Sequence, residues 1–97
     1  MSTKFDVVQV GTLESNDIMI TLAPNIDKGI KVELESIVIA QYGEAIRSLI
    51  YMLLKENNIE NIYIKAVDRG ALDCTIKARL LTALSRAGLL NEEGMII

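Results

Sequence analysis

Glu14, Ser15, Asn16 and Asp17 place one hydroxyl between two carboxylates within four residues. Such a group could be a hydrolytic nucleophile, an acid–base or metal-binding carboxylate pair, or a hydroxyl that accepts a group from another enzyme. A hydrolytic serine needs a base to take its proton, and the chain has no histidine and no G-x-S-x-G elbow around position 15. Glu14 and Asp17 supply two ligands from one mobile turn, too few to hold a cation. The remaining chemistry is acceptance: a serine esterified by a second enzyme must be exposed, set on a defined element and free of core contacts. Serine is also common in turns merely because its side chain bonds nearby backbone, so the local pattern leaves both readings open.

Other reactive side chains offer less. Cys74 has no second cysteine and no histidine to share a metal with, and a lone cysteine beside an apolar helical pattern reads as a small buried hydrophobe. Arg69, Lys77, Arg79 and Arg86 gather positive charge around the last helix, which reads as a solvated face or a docking surface. Gly70 after Asp68-Arg69 reads as a turn glycine, since one glycine ahead of a helix falls far short of a phosphate-binding loop. No residue set is therefore assigned to catalysis or to a metal.

Two β-branched runs, Val7-Val8-Gln9-Val10 and Ile18-Met19-Ile20-Thr21-Leu22, flank the serine and read as a hairpin. Its tip, Gly11 to Asp17, carries turn formers, and Asn16 tolerates positive φ. Pro24-Asn25 opens a second turn running through Asp27, Lys28 and Gly29. Ile30 to Glu35 then alternates apolar with charged, the pattern of a strand buried on one face. Ser36 is a candidate cap for the helix that follows, on which Ile39, Tyr42, Ile46, Leu49 and Leu53 form a stripe ending near Asn57-Asn58. Additional apolar residues, Ile50, Met52 and Leu54, widen that stripe and leave a flank for a partner. Ile59 to Val67 reads as a fourth strand and about Leu72 to Ala87 as a second helix ended by Gly88, although Leu72, Cys74 and Ile76 also fit a period of two.

The resulting order, β-β-β-α-β-α, predicts an α+β two-layer sandwich with an antiparallel or mixed sheet and helices on one face. A chain of 97 residues is one small domain, with 1–6 and 89–97 expected as loose ends. Half of it is hydrophobic, yet there is one Phe, three Tyr and no Trp, so the core is aliphatic. A net charge of -3, from ten basic and thirteen acidic residues, gives no basic face for a phosphate backbone. No apolar run approaches the roughly 18–20 residues of a membrane span. A single cysteine cannot form an internal disulfide, and the first residues lack a signal-peptide pattern, so a reducing cytoplasm is expected.

Four separated blocks carry a family likeness: Gly11-Thr12-Leu13-Glu14-Ser15-x-Asp17 with Pro24 after the next strand; Tyr42-Gly43-x-Ala45-Ile46-Arg47; Asp68-x-Gly70-Ala71-Leu72-Asp73-Cys74; and Ile76-Lys77-Ala78-Arg79. Together they resemble the acyl carrier (gamma) subunits of citrate lyase, over nearly all of Gly11 to Ala87. Asn16 departs from the small residue expected after the serine. The resemblance implies a carrier with no catalysis of its own, in which Ser15 is joined by a phosphodiester to a phosphoribosyl-dephospho-coenzyme A arm installed by a prosthetic-group transferase. It implies as partners a transferase (alpha) subunit, which exchanges the arm's acetyl group for citrate, and a lyase (beta) subunit, which cleaves the citryl thioester to oxaloacetate. Under it, Glu14 and Asp17 become charges through which a basic partner surface reads the tip. The related carrier of malonate decarboxylase is the nearest alternative, with Ala71-Leu72-Asp73-Cys74 favouring citrate lyase, and an unmodified α+β interaction or ligand-binding module is the alternative from another class.

Overall fold

Runs of alternating apolar residues pair into a sheet whose one face can be buried, and the helical stripes supply the surface that buries it. The computed structural model describes residues 5–36 and 39–90, the side chains of 39–42 excepted. In chain order the elements are β1 (Val8–Gly11), β2 (Ile18–Ala23), β3 (Ile30–Ser36), α1 (Ile39–Glu56), β4 (Ile62–Asp68) and α2 (Asp73–Arg86). This is the β-β-β-α-β-α order read from the sequence. The strands lie in the order β1-β2-β4-β3, with β4 antiparallel to β2 and parallel to β3. The sheet is therefore mixed, and α1 is the crossover that a parallel β3–β4 pair requires.

Period-two alternation sends Val10, Ile18, Ile20, Leu22, Val32, Ile62, Ile64 and Ala66 to one face, where all are buried. Ile46, Ile50, Leu53 and Leu54 of α1 and Ile76, Leu80, Ala83 and Leu84 of α2 close over them to form a single aliphatic cluster. The other face is polar. Gln9 donates to Thr21 across β1 and β2 at 3.1 Å, and the Tyr63 hydroxyl donates to Glu33 across β4 and β3 at 2.6 Å, which holds the phenol above its ordinary pKa.

Both helices end alike. Asn58 takes φ 58° and Gly88 φ 75°; Ile59 N–H returns to the Leu54 carbonyl at 3.0 Å and Leu89 N–H to the Leu84 carbonyl at 2.9 Å. These six-to-one bonds, each with an apolar pair beside it, are Schellman endings. They account for two departures from the sequence reading. β4 begins at Ile62 rather than Ile59, because Ile59 turns back onto the end of α1. Leu89 and Leu90, with Phe5 at the other end, pack against the core instead of belonging to loose ends; 1–4 and 91–97 lie outside the described residues.

The ambiguous stretch at 71–77 is helical from Asp73. Ser36, read as a cap, is the last residue of β3 and donates its hydroxyl to Asp68 at 2.8 Å; residues 37–38, where the cap would act, lie outside the described residues.

Candidate functional site

Ser15 stands at the corner of a four-residue turn closed by Asp17 N–H to the Glu14 carbonyl at 3.2 Å. Asn16, at the third position, has φ 66°, the conformation that asparagine accepts at lower cost than most residues. Leu13, Glu14, Ser15 and Asn16 are all exposed, and among the described residues none hydrogen-bonds the Ser15 hydroxyl. At the base of the turn Gly11 has φ 101°, and a Cβ there would fall 1.9 Å from the Ile18 carbonyl oxygen. Only glycine lets the two strands come this close where the tip begins.

The tip is tied to the turn between β4 and α2. Asn16 N–H donates to the Arg69 carbonyl and Arg69 N–H to the Asp17 carbonyl, both at 2.8 Å, carrying the β2–β4 ladder past its last pair, Ile18 with Asp68. The Asp17 side chain ties the tip to α2. One carboxylate oxygen accepts from Ile18 N–H at 2.7 Å and Arg79 Nε at 2.9 Å; the other accepts from Thr12 Oγ1 at 2.6 Å and an Arg79 terminal nitrogen at 2.8 Å. The Arg79 fork, then the Thr12 hydroxyl, hold this carboxyl well below the usual carboxylate range, and Asp17 in turn raises the Arg79 guanidinium. Thr12 Oγ1 also accepts from Glu14 N–H at 3.2 Å.

The supporting turn has its own polar centre. Asp68, 1% exposed, accepts from the Ser36 hydroxyl at 2.8 Å and from Ala71 N–H at 2.9 Å. Beside it a cleft of about 620 Å³ opens between Ala45 and Ile46 of α1 and the stretch from Gly70 to Cys74.

Ser15 lies where the hairpin reading of the sequence puts it. Glu14 is exposed, but Asp17, expected beside it as a solvated charge, is turned inward with a side chain 12% exposed; its strand parity, one residue before Ile18, is overruled by a cationic partner. Arg79, expected on a solvated face, is that partner. Cys74, expected to be buried, is exposed, because it falls on the side of α2 away from the Ile76–Leu80 stripe. Thr12, Arg79 and Asp68 belong to the site; each stands in one of the family-like blocks, but neither periodicity nor turn chemistry assigns it a role. A further signal for Arg79 is its spacing: three residues after Ile76 and four before Ala83, it shares the inward side of the helix.

A family model described as "ACP: Malonate decarboxylase delta subunit (MdcD)" matches residues 6–87. The chain is 49% identical over 87 residues to the citrate lyase acyl carrier protein of Latilactobacillus sakei subsp. sakei, covering 90% of this chain and 84% of the relative. It is 53% identical over 77 residues to the citrate lyase acyl carrier protein of Lactiplantibacillus plantarum, 79% of each chain. It is 52% identical over 77 residues to that of Streptococcus mutans serotype c, 79% of this chain and 76% of the relative. No solved structure gives a significant match. An exposed serine on a braced hairpin tip, in a chain half identical to these proteins over most of its length, closes the question of kinship: the chain belongs to the citrate lyase acyl carrier protein family.

Proposed function

We propose that Ser15 is the attachment point of a covalent phosphoribosyl-dephospho-coenzyme A arm, and that the chain carries acyl groups between the transferase and lyase subunits of citrate lyase in the conversion of citrate to acetate and oxaloacetate. The observation that supports this best is the presentation of Ser15: an exposed hydroxyl on the corner of a turn braced by the Arg69 backbone and by Asp17 and Arg79. The tip fits such a group: the serine oxygen can attack the phosphorus of a phosphoanhydride form of the arm presented by the transferase, displacing its outer phosphates as the leaving group and releasing its proton outward without breaking a hydrogen bond to any described residue. When bound, the arm supplies a terminal thiol on which acyl groups travel as thioesters, so the chain itself needs no nucleophilic cysteine. The role of its own residues is mechanical. Thr12, Asp17 and Arg79 hold the root of the arm, and a tethered group then reaches two active sites at a high effective concentration.

Glu14 is proposed as the charge read by a basic surface on the modifying transferase or a partner subunit; Asp17, whose carboxylate is taken up by Arg79, serves recognition only by fixing the shape of the tip. The lone Cys74 fits a reducing compartment such as the cytoplasm. A carrier for malonate decarboxylase is the second reading, favoured by the description of the matching family model; the names of the relatives favour citrate lyase.

Intact-mass spectrometry of the chain from its native source tests the assignment. The expected result is the mass of the chain plus one phosphoribosyl-dephospho-coenzyme A, absent after Ser15→Ala. An unmodified mass in an active native complex would overturn it.

A further inference from the structure

Residues 13–16 are exposed, so the tip has no apolar anchor of its own. What fixes it is polar and comes from two sides: backbone hydrogen bonds to Arg69 and the carboxylate of Asp17. That carboxylate is a hub. It bonds Thr12, before the turn, Ile18, after it, and Arg79 on a helix 62 residues further along. Of these partners only Arg79 joins the hairpin to α2 through a side chain. Its planar fork takes both carboxylate oxygens, which fixes orientation as well as distance.

We propose that Arg79 is a positioning residue for the group carried on Ser15: by clamping Asp17 it locks the hairpin tip to α2, so that Ser15 and the exposed start of α2 meet partner enzymes as one rigid surface. The proposal rests on the reading of Ser15 as the attachment point. An ordinary surface ion pair constrains little, because both side chains remain solvated and mobile. Here the carboxylate is mostly covered and the guanidinium partly so, with side-chain exposures of 12% and 38%. The surface locked in this way includes Leu72, at the start of α2, and Arg86, at its end; both are exposed, and each lies seven residues from Arg79 and so on its side of the helix. An enzyme that docks on that helix therefore finds the serine at a set place, and the arm swings from a fixed root.

The test separates positioning from stability. Amide hydrogen exchange on the full unmodified chain compares the wild type with Arg79→Gln and Arg79→Lys, reading Asn16 and Arg69 against Ile20 and Lys65 in the central ladder. In Arg79→Gln, exchange at Asn16 rises by about tenfold with the central ladder unchanged, and Arg79→Lys lies between. With the prosthetic-group transferase, kcat for modification of Ser15 falls by about tenfold in Arg79→Gln while KM stays near wild type, and Arg79→Lys recovers part of it. Unchanged exchange at Asn16, or protection lost equally across the strands, overturns the clamp. An unmodified Ser15 in native material overturns the attachment reading instead, and the exchange arm still decides whether Arg79 locks the tip. Asp17→Asn provides a second route to the same loosening should Arg79→Gln fail to fold.

Discussion

Ser36 and Asp68, the terminal residues of β3 and β4, face each other in the parallel register and are joined by the Ser36 hydroxyl at 2.8 Å. The other Asp68 oxygen takes Ala71 N–H at 2.9 Å. One buried carboxylate thus ties the end of a strand pair to the approach of α2, directly behind the turn whose backbone holds the serine tip.

Removing that carboxylate leaves the Ser36 hydroxyl and the Ala71 amide without this acceptor in a covered place. Asp68→Ala should cost about 2–3 kcal/mol of unfolding free energy, and Asp68→Asn less, because the amide oxygen can still accept one of the two bonds. Urea unfolding of both variants checks the order; equal loss in both would contradict it.

Gly11 and Gly29 both have positive φ, but they differ in surroundings. A Cβ at Gly11 meets the Ile18 carbonyl oxygen at 1.9 Å, whereas at Gly29 nothing lies within 4 Å. Gly29→Ala should therefore cost only the backbone strain, about 1 kcal/mol, and Gly11→Ala roughly 3 kcal/mol or more, since β1 and β2 must separate at the root of the tip. Thermal unfolding of the two variants side by side is the measurement.

Acid should release the tip. Asp17 has its folded carboxyl held well below the unfolded value of 3.8 by the Arg79 fork and the Thr12 hydroxyl. A depressed folded pKa means that the unfolded chain binds the proton first, so this contribution is fully present above about pH 5 and is lost as pH falls toward the folded value. In Asp17→Asn the drop in Tm between neutral and strongly acidic solution should be smaller than in the wild type. An unchanged drop would remove Asp17 from the acid limb.

Cys74 is exposed on α2 and lines the cleft beside Gly70. Its thiol should react with a disulfide reagent in the native chain without prior unfolding. Cys74→Ser should shift stability by less than about 0.5 kcal/mol and leave acyl carriage intact. Abolished carriage in a folded variant would show that the chain's own thiol is required.

Much of this architecture is legible in the sequence because its signals are local. Period-two runs mark the strands, Gly88 and Asn57-Asn58 mark helix ends, and the tip residues mark a turn with Asn16 at positive φ. Ser15 is legible as a candidate for the same reason: a turn needs only its own residues. The exposure of Cys74 is legible too: on the helix read from about Leu72, the stripe of Ile76, Leu80 and Leu84 leaves position 74 on the opposite side, and the expectation of burial rests on the residue type alone. The inward turn of Asp17 is not legible, because a carboxylate next to Glu14 and Ser15 carries no local sign of a partner on a distant helix.

The element order, the one-sided burial of Ile30 to Glu35 and the position of the serine in its turn follow from nearest-neighbour geometry and periodicity, and so are written in the sequence. Tertiary structure alone decided that β4 lies between β2 and β3, that the end of β4 backs the hairpin tip, and that Arg79 reaches Asp17. These depend on which elements come together in space, and two charges 62 residues apart become a pair only when the burial of Ile76 and Leu80 lays α2 across β1 and β2.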